Sequence, residues 1–275
     1  MEADRSVGAD SCLYLYGVFR PPPGVEADLF SELAGVEGAP DIFTVECEDL
    51  AAAVSPVPRS VYNQESLDLH APEIEWIAAR AARHEQVVRR LMQFRDIIPL
   101  KFATLYSSVE RVRDMLRQQH EELARVLDHV AGREEWGVKV YADAVQVGQA
   151  LERSEADVEA LDRQIAAASA GQAYFLGKKK QKLVADAARQ WAAEVSETVY
   201  ASLLPAVVEA RRTRFLNPGP SPADLPVLSA AVLVERQEVA ALKAEAERLE
   251  AGYREYGMRV ELSGPWAPYN FCGER

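Results

Sequence analysis

Short apolar runs cut off by proline alternate with long one-faced helical stripes, and this limits the chain to a layered fold of helices on sheet. Residues 12–19 are apolar and aromatic, and Pro21-Pro22-Pro23-Gly24 stops them, which predicts a buried strand. Residues 42–47 and 50–57 read as two more strands, with Glu48-Asp49 as the hairpin turn and Pro56 and Pro58 as the stop. Residues 97–106 read as a fourth. Residues 27–34 carry a brief helical pattern with Leu29, Phe30 and Leu33 on one side, and the polar residues 61–72 predict a surface loop. A helix is expected over 73–94, started by Pro72, with Ile77, Ala81, His84, Val88 and Leu91 as its stripe. Another is expected over 109–130, capped by Ser107 or Ser108 and ended by Gly132, because Val109, Leu116, Leu123 and Val130 recur every seven residues. Strand, helix, two strands, helix, strand is the βαββαβ order of a ferredoxin-like unit, here with one further helix, and it assigns residues 1–134 to a first domain.

A second α+β domain is expected over 135–275, with long helices packed on a small antiparallel sheet. Val138 and Val140 alternate with Lys139 in a half-buried strand over 135–142. Residues 143–214 read as helical, broken near Gly171, with Val184, Ala188, Trp191 and Val195 on one face. The proline-rich residues 217–222 make a loop. Residues 227–234 are nearly all apolar and read as a central strand; Val239, Leu242, Ala246, Leu249, Tyr253 and Tyr256 mark one more helix. Residues 258–263 form the last strand. It runs into Gly264-Pro265-Trp266-Ala267-Pro268-Tyr269-Asn270-Phe271, where two prolines fix the backbone and should end the ladder. This rigid aromatic clamp is expected to lock the second domain, with Trp266 and Phe271 buried against its sheet.

Charge and cysteine usage exclude several roles. A net charge of −12 opposes general nucleic-acid binding and adsorption to anionic membranes. No apolar stretch is long enough to span a bilayer, and the acidic start, Met1-Glu2-Ala3-Asp4-Arg5, lacks the apolar core of a secretory signal. Cys12, Cys47 and Cys272 are odd in number and widely spaced, which fits reduced thiols in a cytoplasmic protein rather than a disulfide or zinc framework.

Catalytic chemistry is hard to find. His84 lies on an apolar stripe and reads as a hydrogen-bonded core histidine, while His120 and His129 have the wrong spacing to share a metal. Residues 171–180, GQAYFLGKKK, resemble a phosphate loop only superficially, because the glycine spacing is wrong and no Ser or Thr follows the lysine. Lys178, Lys179 and Lys180 instead form a cationic patch that could dock an acidic partner; the plainer reading is a solvated helix face. No carboxylate pair, serine elbow or activated cysteine has a recognisable catalytic context. No catalytic residue, cofactor or metal site is expected.

Several segments taken in order carry a resemblance to a known family: YLYGV at 14–18, HEQVV at 84–88, IPLKFATLY at 98–106, EWGVKV at 135–140, GQAYFL at 171–176, AAVLV at 230–234 and GPWAPYNF at 264–271. Across almost its whole length the chain resembles the GvpL/GvpF gas vesicle proteins. The closing motif is the most specific of these, the family form being GPWPPYSF. Departures are Ala267 for Pro, Asn270 for Ser, and Lys101 with Ala103 where the family has Arg and Gly. The resemblance implies a non-enzymatic accessory or minor component of gas vesicles, cytoplasmic or vesicle-associated, with two α+β domains. It implies binding to the small hydrophobic GvpA-type shell protein and to other accessory proteins, preventing shell-protein aggregation during nucleation. Lys178, Lys179, Lys180, Trp266, Tyr269 and Phe271 are the candidate contact residues. The alternatives are a ferredoxin-like small-ligand or enzymatic module, and a structural part of the vesicle wall.

Overall fold

The computed structural model describes residues 10–21, 29–30, 33–62, 74–94, 96–154, 156–215, 219 and 221–273. Half of the expected short helix at 27–34 and of the loop at 217–222, and most of the loop at 61–72, lie outside these residues. The fold mixes helix and sheet in two compact units, Met1–Glu134 with Trp266–Arg275, and Glu135–Pro265.

In the first unit, β1 (Ser11–Phe19), β2 (Phe43–Cys47), β3 (Leu50–Pro58) and β4 (Ile97–Pro99) form an antiparallel sheet in the order β2-β3-β1-β4. The short strand β5 (Leu105–Tyr106) also pairs with β1. Every residue of β1 after Ser11 is buried, so both faces of the sheet are covered. Cys12, Tyr14 and Tyr16 face one core and Leu13 and Leu15 the other; a bulge between Leu15 and Gly17 then switches the alternation, so that Phe19 joins the first core and Val18 the second. Helix α1 (Ile74–Phe94) covers the first face with Val87, Val88 and Leu91. Helices α2 (Val109–Gln118) and α3 (His120–Val130) cover the second with Val112, Leu116, Leu123 and Leu127.

Two expectations in this unit need correction. The strand at 97–106 is split, because Thr104 turns back on the Lys101 carbonyl through its N–H and its hydroxyl, and Ala103 takes a left-handed φ of 62°. The helix at 109–130 is broken at Gln119, whose backbone leaves helical geometry while its N–H still reaches the Met115 carbonyl.

In the second unit, β6 (Arg133–Asp143), β7 (Glu209–Arg212), β8 (Asp224–Glu235) and β9 (Arg259–Trp266) form a sheet ordered β7-β8-β6-β9. Helices α4 (Ala144–Ser154), α5 (Ala156–Ala167) and α6 (Ala170–Leu203) connect β6 to β7, and α7 (Val239–Gly252) connects β8 to β9. Val138 and Val140 of β6, with Leu228, Ala230, Val232 and Val234 of β8, put one face of the sheet into a core closed by α6 and α7. A reciprocal capping box between Ser169 and Gln172 starts α6.

Three expectations shift here. The helical region ends at Leu203 rather than 214, because Pro205 cannot continue it and a 3-10 turn, Leu204–Ala206, leads into the edge strand β7. Strand β9 runs on through Pro265 to Trp266; it is an edge strand, where a missing N–H costs no ladder bond. Gly264 allows this path: its φ is +151°, and a Cβ there would stand 2.9 Å from the Trp136 ring. The third shift concerns the clamp beyond Pro265, which packs in the first unit and not in the second. Its Ala267 lies in the core with Tyr14, Tyr16 and Leu91, and its Cys272 against the core with Leu13 and Leu116.

Candidate functional site

Four surfaces or clusters hold the residues that could carry function. The first lies beneath the closing segment. Burial favours neutral groups, and His84 of α1 is pushed down to about 4 chiefly by desolvation. Its Nδ1 meets the Tyr14 hydroxyl at 2.9 Å and its Nε2 the Tyr269 hydroxyl at 3.0 Å. A neutral imidazole has one donor and one acceptor nitrogen, so it matches a hydroxyl at each end. The Tyr14 hydroxyl also accepts the Ala103 N–H at 3.1 Å. Nearby, the Tyr16 hydroxyl accepts the Val36 N–H and pairs with the Ser55 hydroxyl, both at 2.8 Å; burial pushes that phenol up to about 12. Each of these polar atoms faces another protein group. The thread therefore ties distant segments together and leaves no activated nucleophile facing solvent.

Beside it, Arg80 grips Glu37 with two bonds, at 2.8 and 3.0 Å, and stacks 3.9 Å over Trp76, while the Tyr62 hydroxyl donates to the same carboxylate. Burial works to raise the Glu37 carboxyl, and the bonds from Arg80 and Tyr62 overcome it and hold the group low.

A second cluster lies on the opposite face of that sheet. Glu48 and Asp49, at the tight turn between β2 and β3, stand within ligating distance of His120 on α3. Their chemistry would suit a divalent cation, but the Arg20 guanidinium already lies 3.6 Å from Asp49 and 2.7 Å from Asp128. The trio thus works as an exposed ion-pair group.

The third surface is the first half of α6. The stripe that enters the core begins at Ala188; earlier residues pack against α4 and α5. Lys180 faces those helices and bridges Glu152 at 3.2 Å and Asp162 at 2.9 Å. Lys178 and Lys179 are exposed, as is Lys182 one turn on. Between them and the start of the helix stand Tyr174 and Phe175, 64% and 74% exposed, their rings edge to face at 5.8 Å. We call this part of α6 the arm.

At the far end of the same helix, Ser202, Pro205, Ala206, Val207, Val208 and Ala241 line a groove of about 700 Å³. Glu235, Glu238, Glu245 and Arg248 complete it, with Arg248 paired to Glu245 at 2.6 Å. Val208 exposes its apolar side chain here.

The six residues singled out from sequence therefore fall in two places. Lys178, Lys179 and Lys180 sit on the arm, with Lys180 engaged by carboxylates. Trp266, Tyr269 and Phe271 sit in the first unit: Phe271 is buried, Tyr269 holds His84, and Trp266 is 38% exposed with Arg89 5.3 Å over its ring. Sequence reasoning passed over Tyr174 and Phe175 and the groove. The signal for Phe175 was its phase: sixteen residues before Trp191, it falls roughly 160° from that residue around the helix.

The family described as gas vesicle synthesis protein GvpL/GvpF matches residues 12–273. Gas vesicle protein L of Streptomyces sp. (strain CB03234) is 30% identical, over 97% of this chain and 95% of that protein. Gas vesicle protein F2 of Halobacterium salinarum is 23% identical over 96% and 93% of the two chains. Crystal structures of gas vesicle protein GvpF share the fold: the protein from Anabaena sp. PCC7120 superposes with a TM-score of 0.67 at 18% identity, over 96% of this chain and 97% of its own. That from Microcystis aeruginosa gives 0.61 at 17% identity, over 96% and 99%.

Proposed function

The chain belongs to the GvpL/GvpF family of gas vesicle synthesis proteins, and from its role in gas vesicle formation we propose that it binds the small hydrophobic GvpA-type shell subunit and keeps it from aggregating before assembly. The observation that carries this reading is the exposed aromatic pair Tyr174–Phe175 on the arm. Exposed aromatics that contribute nothing to the chain's own core are the kind of surface that partner binding uses. Lys178 and Lys179 flank the pair and would steer acidic groups of a partner toward it. The net charge of −12 would keep a complex with an apolar subunit dissolved. We read the action as cytoplasmic, at the nucleating vesicle, and as binding without catalysis. The strand order β2-β3-β1-β4 with α1 between β3 and β4 supports a ferredoxin-like first unit.

Co-expression with the shell subunit tests the proposal. The full chain should raise the soluble fraction of the subunit and retain it in a pull-down. A Tyr174→Ser, Phe175→Ser variant should lose both effects at unchanged thermal stability. If the wild-type chain leaves subunit solubility unchanged, the binding role is wrong.

A further inference from the structure

The two ends of α6 carry complementary surfaces that nothing in the fold brings together. At one end stand two exposed rings flanked by Lys178, Lys179 and Lys182. At the other lies a groove lined by Pro205, Ala206, Val207 and Ala241, with Glu238 beside them and Glu245 paired to Arg248. Size matches as well as sign. A cavity of about 150 Å³ accepts one benzene ring, so the 700 Å³ groove has room for both aromatic side chains. They cannot meet within one molecule. Phe175 and Leu203 lie on the same continuous helix, and at 1.5 Å per residue the separation is about 42 Å.

We propose that the groove receives the arm of a second copy of this chain. Tyr174 and Phe175 lie on the apolar lining, and the lysines reach Glu238 beside it. The contact is heterologous: each copy offers one arm and one groove, so copies join head to tail and the array can grow. Each ring buries about 150–250 Å². Even with an equal area from the groove, the interface falls below the roughly 1,200–2,000 Å² of a stable pair. The association is therefore reversible, depends on concentration, and weakens with salt. It covers the same aromatic pair that the shell-subunit reading uses, yet needs only the purified chain, so the two can fail separately.

Sedimentation velocity of the full-length chain decides it. The wild type should show an average mass that rises with concentration and falls back in high salt. Phe175→Ser and Glu238→Lys should each weaken self-association at least tenfold, and Val208→Asp should act as a second groove variant. Thermal melts should match wild type for all three. The telling experiment mixes Phe175→Ser with Glu238→Lys: one supplies an intact groove and the other an intact arm, so one-to-one pairs should form and stop there. A wild type that stays monomeric, an arm variant that associates as well as wild type, or a mixture that stays monomeric overturns the proposal.

Discussion

The two units arrange their strands alike and use their interiors differently. Taken in chain order, the first, second, third and fourth strands of each unit lie in the spatial order two, three, one, four. In the first unit that frame encloses a polar thread through Tyr14, Tyr16, Ser55 and His84. In the second, the core cluster is valine, leucine and alanine with one tryptophan and one methionine, and the buried hydroxyls Ser196 and Ser229 pair outside it with Arg212 and Thr213. An apolar core needs only shape and area to hold, whereas a buried hydroxyl or imidazole must have its own partner. The first unit thus depends on particular distant residues, Tyr269 among them. The second puts its extra length into the helices between β6 and β7, where part of α6 is free to present side chains outward.

The largest test of this contrast deletes one large side chain from each unit. Phe271→Ala should cost about 3–5 kcal/mol and Leu242→Ala about 2–5 kcal/mol; both residues are buried. Hydrogen exchange should show Phe271→Ala unprotecting β1, β3 and α1, and Leu242→Ala unprotecting β8 and α6. Loss of protection in β8 after Phe271→Ala would return the closing segment to the second unit.

Acid should act unequally on the units. All four histidines lie in the first, and His84 is buried with its folded pKa lowered to about 4. The folded state then binds fewer protons than the unfolded state between pH 4 and the ordinary histidine value. The contribution is fully present above pH 6.5 and fades as pH falls toward 4, a loss of about 3 kcal/mol. Urea unfolding at stepped pH should show this slope in the wild type and a flatter one in His84→Gln. Equal slopes would mean that the imidazole does not carry the effect.

The smallest effect belongs to the second unit. Lys180→Met removes a bridge to two half-exposed carboxylates, Glu152 and Asp162, and should cost no more than about 1 kcal/mol. Exchange should quicken in α5 and leave β8 unchanged; a loss of several kcal/mol would show that the arm is held to its unit far more tightly than these ion pairs imply.

Much of this architecture was legible in the chain because proline and hydrophobic period act locally. The strand at 12–19 and its stop, the helix at 74–94 and the central strand in the second unit each follow from their own residues. Strand β7 was not legible. Glu209-Ala210-Arg211-Arg212 mixes charges with good helix formers, and only pairing with β8 makes it a strand. The place of the clamp was hidden for a related reason: the bond from Tyr269 to His84 spans 185 residues, and no local pattern encodes a partner so far away. The lysine run was visible, but its division between one bridging and two exposed side chains depends on where α4 and α5 pack.

Because Trp266 to Cys272 completes the first unit, that unit cannot finish during synthesis until the whole of the second has left the ribosome. Domains usually mature in the order they emerge. Here the earlier half must wait for the last residues, with His84 lacking Tyr269 and its core lacking Ala267.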